Sequence, residues 1–268
     1  MTTKALVVLS GGQDSTTCLM WAKMQFDEVH AVTYDYGQRH FREIQAAKDV
    51  AKLAGVKSHK IVTVGPILEG RSPLTNEEAH LELYADFKQM DQIIGDRVET
   101  TFVPMRNALF LTLAANHASC NGITNLITGV CQADNANYPD CRQSFLEAQE
   151  HTINKALGLS WPHVFKIHAP LMHFSKAEGI QLAQQIPGAY EALAFTHTAY
   201  DGKYPPTGKD HASVLRAHGF EEAKVPDPLV LRAWGHSLME LPDTENYKDE
   251  LRNFAFLNVI LHLEGNLK

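Results

Sequence analysis

No apolar run in the 268-residue sequence approaches bilayer-spanning length, and no charged region near the N-terminus leads into an apolar stretch with a cleavage site. No membrane partner and no secretory leader are expected, and the cytoplasm is the expected compartment. Cysteine is scarce. Its four occurrences, Cys18, Cys120, Cys131 and Cys141, show no Cys-x-x-Cys spacing, so no disulfide framework is implied. Positive charge is in deficit too, with 24 Lys and Arg against 31 Asp and Glu and a net charge of −7. A sequence-independent grip on nucleic acid needs clustered cations, so no nucleic-acid partner is expected. Internal repeats and low-complexity tracts are missing. So are the GxxxxGK[ST] loop of Walker-type nucleotidases and the GxGxxG turn of dinucleotide-binding proteins.

What remains is an ordinary globular composition, 44% hydrophobic and 21% charged, on a chain long enough to bury a core without staples. The N-terminal stretch organises the rest. Leu6-Val7-Val8-Leu9 reads as a buried strand, Ser10-Gly11-Gly12 as a tight turn, and Asp14 to Ala22 as a helix. Glycines let the backbone approach a ligand closely, and a helix start presents unpaired N–H groups at the positive end of its dipole. Strand, glycine turn and helix N-terminus together make an anion site suited to phosphate.

The pattern then alternates. Strands are expected at 29–34, 58–64, 125–130 and 164–169, with helices near 41–53, 108–119, 143–157 and 175–185. Alternation of this kind indicates a parallel sheet with helices on both faces. Residues 65–101, with Pro66, Pro73 and many acidic positions, read as an insertion over the sheet edge. From Pro187 the composition changes. Two proline pairs, Pro205/Pro206 and Pro226/Pro228, bracket a helix near 211–218, and helical spacing returns at 247–263. The expected division is an α/β domain over 1–186 and a small C-terminal helical lobe and tail over 187–268.

Polar groups gather where strands end, the usual place for ligands in open α/β sheets. They are Ser10 to Ser15, Tyr36 to His40, Pro104 to Asn107, Asp134 to Arg142, and Lys176 with Glu178. Taken singly they read as caps or solvated charges; their shared address suggests one cleft.

Ser-Gly-Gly-Gln-Asp-Ser-Thr-Thr-Cys at 10–18 resembles the pyrophosphate loop of the N-type ATP pyrophosphatases. With Tyr-Gly-Gln-Arg-His at 36–40, Thr-Phe-Val-Pro-Met-Arg-Asn at 101–107, Thr-Gly-Val-Cys at 128–131 and Tyr-Pro-Asp-Cys-Arg at 138–142, the sequence resembles the 7-cyano-7-deazaguanine synthase family over about residues 4–220. The resemblance implies an adenine nucleotide alpha hydrolase-like fold, an open five-stranded sheet of order 3-2-1-4-5, and a homodimer. It also implies that ATP and magnesium serve to adenylate 7-carboxy-7-deazaguanine. Ammonia then gives the amide, and a second activation gives the nitrile. It casts Asp14, Ser15, Arg106 and Lys176 as catalytic, and Ser10, Gly11, Gly12, Gln13, Asp14 and Ser15 as the nucleotide loop. Tyr36, Gln38, Arg39, Asn107, Asp134, Tyr138, Asp140 and Arg142 become substrate-binding, with Arg142 on the substrate carboxylate.

One departure stands out. The family carries four zinc cysteines before a Leu-Arg pair; here Leu215-Arg216 is present, but those positions hold His197, Thr207, Asp210 and Ser213. No zinc is expected, since hydroxyls replace soft ligands and the spacing of His197, Asp210, His211 and His218 has no metal-binding logic. Three alternatives stay open at this level. One is a ligase that joins the activated deazaguanine to another amine, even a protein's, in antiviral defence. Another is a sulfur transferase using Cys131 and Cys141. The third is a non-catalytic nucleotide-binding subunit.

Overall fold

A computed structural model describes residues 2–38, 42–76, 78–132, 137–160 and 164–267. The strands β1 (Lys4–Val8), β2 (Glu28–Asp35), β3 (Ser58–Thr63), β4 (Asn125–Ile127) and β5 (Lys166–His168) form one parallel sheet of order β3-β2-β1-β4-β5. β1 is central and buried on both faces, which is why its sequence is continuously apolar rather than alternating. Ala5 and Val7 join a core with Ala22 of α1 (Gln13–Gln25) and Val50 of α2 (Arg42–Ala54). Leu6, on the opposite face, packs with Leu111 of α4 (Arg106–Cys120) and Ile153 of α5 (Gln143–Ala156); α3 (Phe87–Ile94) lies away from the sheet.

The strand order reverses between β1 and β4, which run parallel, and the two loops that leave their carboxyl ends diverge there. That switch point is where an open sheet leaves a crevice. β4 and β5 are shorter than the sequence pattern suggests. After Ile127 the chain leaves the ladder because Gly129 passes against α1: a Cβ there would lie 2.8 Å from the Ser15 nitrogen.

Within residues 65–105 the regular element is α3, started by Asp86, whose side chain accepts from the Gln89 amide, and ended at Gly95. Met90 and Ile94 of α3 pack on Val214 and Leu215 of a late helix, and the Tyr84 amide donates to the Lys209 carbonyl at 2.7 Å. The later helices are α6 (Lys176–Gln185), opened by a Ser175–Glu178 capping box, the short α7 (Ala189–Ala192), α8 (His211–Glu222), α9 (Pro228–Gly235) and α10 (Glu250–Leu267). The sequence pattern misses α9. Pro226/Pro228 reads as a terminator, yet Asp227 caps the Leu229 amide and Pro228 takes the first helical position, where a missing N–H costs nothing. Leu231, Tyr247 and Ile260 reach the same core as α1 and α2. No helix among the described residues is long and apolar enough to cross a membrane.

Candidate active site

The loop between β1 and α1 is preformed by its own side chains. Ser10 Oγ and Ser15 Oγ lie 3.0 Å apart, the Gly12 amide donates to Ser10 Oγ at 3.2 Å, and Ser15 Oγ donates to the Gly12 carbonyl. Gly11 has φ +91°, and a Cβ there would meet the Glu43 carbonyl oxygen at 2.3 Å, so this turn accepts glycine alone. Gly12 is the N-cap and has no capping side chain, which leaves the first-turn N–H groups of α1 for a ligand. The His197 amide straps the loop from outside through the Gly11 carbonyl at 2.9 Å.

The loop borders a cavity of about 280 Å³ at the switch point. Lys176, at the start of α6, reaches Asp14 with Nζ–Oδ2 of 2.6 Å, and both are partly buried. Cation and carboxylate thus stand at the helix start where phosphates would lie. Across the cavity is Arg106, the first residue of α4. Met105 before it is left-handed (φ 63°), a strained conformation for a side-chain-bearing residue and one found enriched at functional sites. Burial works against the Arg106 charge, but Tyr36, Tyr138, Tyr200 and Asp140 around it outweigh that and keep it cationic.

The remaining wall is aromatic. Tyr34 stacks on Phe110 at 4.7 Å between centroids, and Tyr36 lies 5.2 Å from the same ring. The Gln38 side chain closes the loop after β2, accepting from the Tyr36 amide and donating to the Tyr34 carbonyl. Tyr138 donates its hydroxyl to Glu99 at 3.3 Å and also bonds Thr101. Glu99 itself is 1% exposed and holds the end of the 65–105 segment through the Thr101 amide at 2.7 Å.

Of the residues singled out in sequence, the cavity wall brings together Ser10, Gly12, Gln13, Asp14, Ser15, Tyr36, Gln38, Arg106, Asn107, Tyr138 and Lys176. Gly11 lies behind the loop. Asp140 is buried beside the cavity, where it accepts from the Asn107 amide at 3.2 Å and so caps α4 from outside; burial raises its carboxyl. Arg142 is not brought in. It is the extended, exposed residue ahead of α5, and the arginine the cavity holds is Arg106. Arg39, His40 and Asp134 lie outside the described residues.

Glu43, Thr198 and Tyr200, which the sequence does not single out, also line the cavity, as does His211, which the sequence raises only as a metal candidate. Glu43 sits three positions beyond the Tyr-Gly-Gln-Arg-His motif, in the first turn of α2, where an acidic residue reads as ordinary dipole complement. Tyr200 comes from a loop-rich region whose spacing carries no signal, and His211 opens α8, where it reads as an ordinary helix-start residue. Burial lowers the His211 imidazole, and its Nε2 has no hydrogen-bond partner among the described residues.

The late positions His197, Thr207, Asp210 and Ser213 do not fit zinc. Asp210 caps α8, accepting from the Ser213 amide at 3.1 Å and from Ser213 Oγ at 2.7 Å. Thr207 Oγ1 donates to Asp201 at 3.0 Å, and His197 Nε2 donates to the Ala199 carbonyl at 3.0 Å. These donors are occupied, and two are hydroxyls, poor partners for a soft tetrahedral ion. Among the described residues no cluster of three or more His, Cys, Asp or Glu is arranged to hold a metal.

Residues 4–224 match the family model described as queuosine biosynthesis protein QueC. A 7-cyano-7-deazaguanine synthase of Gloeobacter violaceus is 46% identical over 228 residues, covering 84% of this chain and 95% of that one. One of Chromobacterium violaceum is 48% identical over 231 residues, covering 85% and 94%. Among solved structures, a 4-thiouridine synthetase–RNA complex with bound ATP aligns at 16% identity and a TM-score of 0.44, covering 99% of this chain and 53% of that one.

Proposed function

The chain belongs to the QueC family, and from that membership we propose that its cavity makes 7-cyano-7-deazaguanine from the 7-carboxylate, ammonia and ATP. It is an ATP-dependent ligase that forms carbon–nitrogen bonds. The carboxylate attacks the α-phosphorus of ATP and pyrophosphate leaves. Nitrogen then displaces AMP to give the amide. The amide oxygen attacks a second ATP, and loss of AMP leaves the nitrile. Each AMP departs with one oxygen of the original carboxylate, which is why two activations are needed.

The residues take roles that follow from their chemistry. First-turn N–H groups at Gln13 to Ser15 hold the departing pyrophosphate, and Lys176 neutralises charge as it develops there. Asp14 would supply a hard oxygen to magnesium, whose charge would screen the phosphates. The aromatic wall of Tyr34, Tyr36 and Phe110 holds the flat heterocycle. Arg106 meets the substrate carboxylate, for which its planar fork is suited.

What supports the reading is the coupling of a phosphate loop to an aromatic wall and a buried arginine in a single cavity, on a chain 46–48% identical to named synthases. Exchange of labelled pyrophosphate into ATP tests it. Exchange should require carboxydeazaguanine, and Lys176→Ala should reduce it by about 10²–10³-fold, the usual cost of losing a transition-state charge partner. Exchange that ignores the base, or survives that substitution intact, would contradict the reading.

A further inference from the structure

Nitrogen enters this chemistry as ammonium with four protons and ends as a nitrile with none. The cavity therefore needs a proton acceptor near the acyl carbon, beside the group that holds the carboxylate. Lys176 and Arg106 are cations and cannot serve, and Asp14 is ion-paired to Lys176 at 2.6 Å. Tyr36 and Tyr200 hold their protons tightly, because burial raises both phenols. His211 is a weakened base, its imidazole lowered by burial.

We propose that Glu43 is the proton acceptor for nitrogen in both halves of the reaction. It lines the cavity next to Arg106, and no hydrogen bond among the described residues engages its carboxylate. Its backbone carbonyl abuts Gly11 of the phosphate loop, so α2 carries this carboxylate directly beside the loop. Among the described residues, the charged and titratable groups facing it are Arg106 from α4, Tyr36 from the loop after β2, and Tyr200 from the late lobe. Burial raises its carboxyl to about 7, with Arg106 opposing, so both protonation states are populated at working pH, as a shuttle requires.

In the first half, ammonium gives a proton to a Glu43 oxygen, the freed nitrogen bonds the acyl carbon, and the acyl–oxygen bond to AMP breaks. The added nitrogen loses a further proton by the same route as the amide forms. In the second half, the amide oxygen bonds phosphorus and pyrophosphate leaves as Glu43 takes one N–H proton. The last N–H proton goes to Glu43 as the carbon–oxygen bond to AMP breaks and the nitrile forms. Between events Glu43 returns its proton to water.

This assignment rests on the proposed reaction, and the test separates the two. Pyrophosphate exchange needs no nitrogen, whereas amide formation does. Glu43→Gln should lower ammonia-dependent amide formation by about 10²–10⁴-fold, and that loss should exceed its loss in exchange by at least about 30-fold. Hydroxylamine, largely unprotonated at neutral pH, should lose at least about tenfold less than ammonia does in Glu43→Gln, because it brings no ammonium proton to remove and only its adduct still sheds one. The acid limb near pH 7 in the wild-type ammonia rate should vanish in Glu43→Gln and persist in Glu43→Asp. Equal losses with ammonia and hydroxylamine, an equal loss in exchange, or an ammonia rate within threefold of wild type would each overturn the assignment. If wild-type protein shows no exchange with carboxydeazaguanine, the reaction reading fails and the assignment with it.

Discussion

Glu43 connects stability to pH as well as to chemistry. Its carboxyl is raised from 4.5 to about 7 by burial, so the unfolded chain ionises first as pH rises. The native state is then penalised increasingly between those values, and the penalty is complete above the higher one. Glu43→Gln, fixed in a neutral state, should be indistinguishable from wild type in urea stability at pH 4. By pH 8 it should be more stable, by an amount on the order of 1–3 kcal/mol. Equal stability at both pH values would show that the carboxylate is solvated. The two arginines give a second residue-scale prediction. Arg106→Lys should raise KM for carboxydeazaguanine about tenfold or more by losing the planar fork, while Arg142→Ala should leave it within about twofold. The reverse pattern would restore the carboxylate to Arg142. Sequence could not choose between them. Both are arginines in motifs, and only the fold shows that one is enclosed among tyrosines and the other lies on the surface.

At the scale of elements, the loop after β1 was legible because its constraint is local. A buried apolar strand, Gly11 in a turn that excludes a side chain, and an uncapped helix start are all written in consecutive residues. Gly129 belongs to the same device from the far side, since its missing side chain lets β4 end against α1. Gly129→Ala must displace the Ser15 backbone, and Gly11→Ala must displace that of Glu43 or Ala47. Each should destabilise the fold by roughly 1–3 kcal/mol, as overpacking typically does, and should weaken ATP binding by a larger factor than substrate binding. Calorimetric titration of both ligands checks this; equal weakening would mean that the loop does not grip phosphate. α3 and α9 were less legible because their signals are single caps, Asp86 and Asp227, within proline-rich and acidic surroundings that resemble loop. What fixes them is packing on α8 and on the common core, which no local pattern encodes.

The whole molecule extends beyond the family match, which ends at residue 224, and one buried ion pair ties the extension down. Arg216 on α8 contacts Asp227 through Nε–Oδ2 at 2.6 Å and Nη2–Oδ1 at 2.8 Å, and also binds Thr196 and Thr198, so it braces the strap over the loop as well. Removing one partner leaves a buried charge uncompensated, so Asp227→Ala should cost about 3–5 kcal/mol. Urea unfolding measures that cost, and a loss below about 1 kcal/mol would mean that the tail is held by its apolar contacts alone. With late-lobe donors already engaged in hydrogen bonds, we also expect excess chelator to leave the melting temperature unchanged; a drop of several degrees would reveal a resident metal. The central claim is that this cavity carries a carboxylate through to a nitrile. It is tested most directly by incubating the full chain with carboxydeazaguanine, ATP, magnesium and 15N-ammonium and weighing the products. The account predicts a base with a 15N nitrile and two AMP formed per nitrile. A base that stays a carboxylate, or stops as the 15N amide with one AMP, would contradict it.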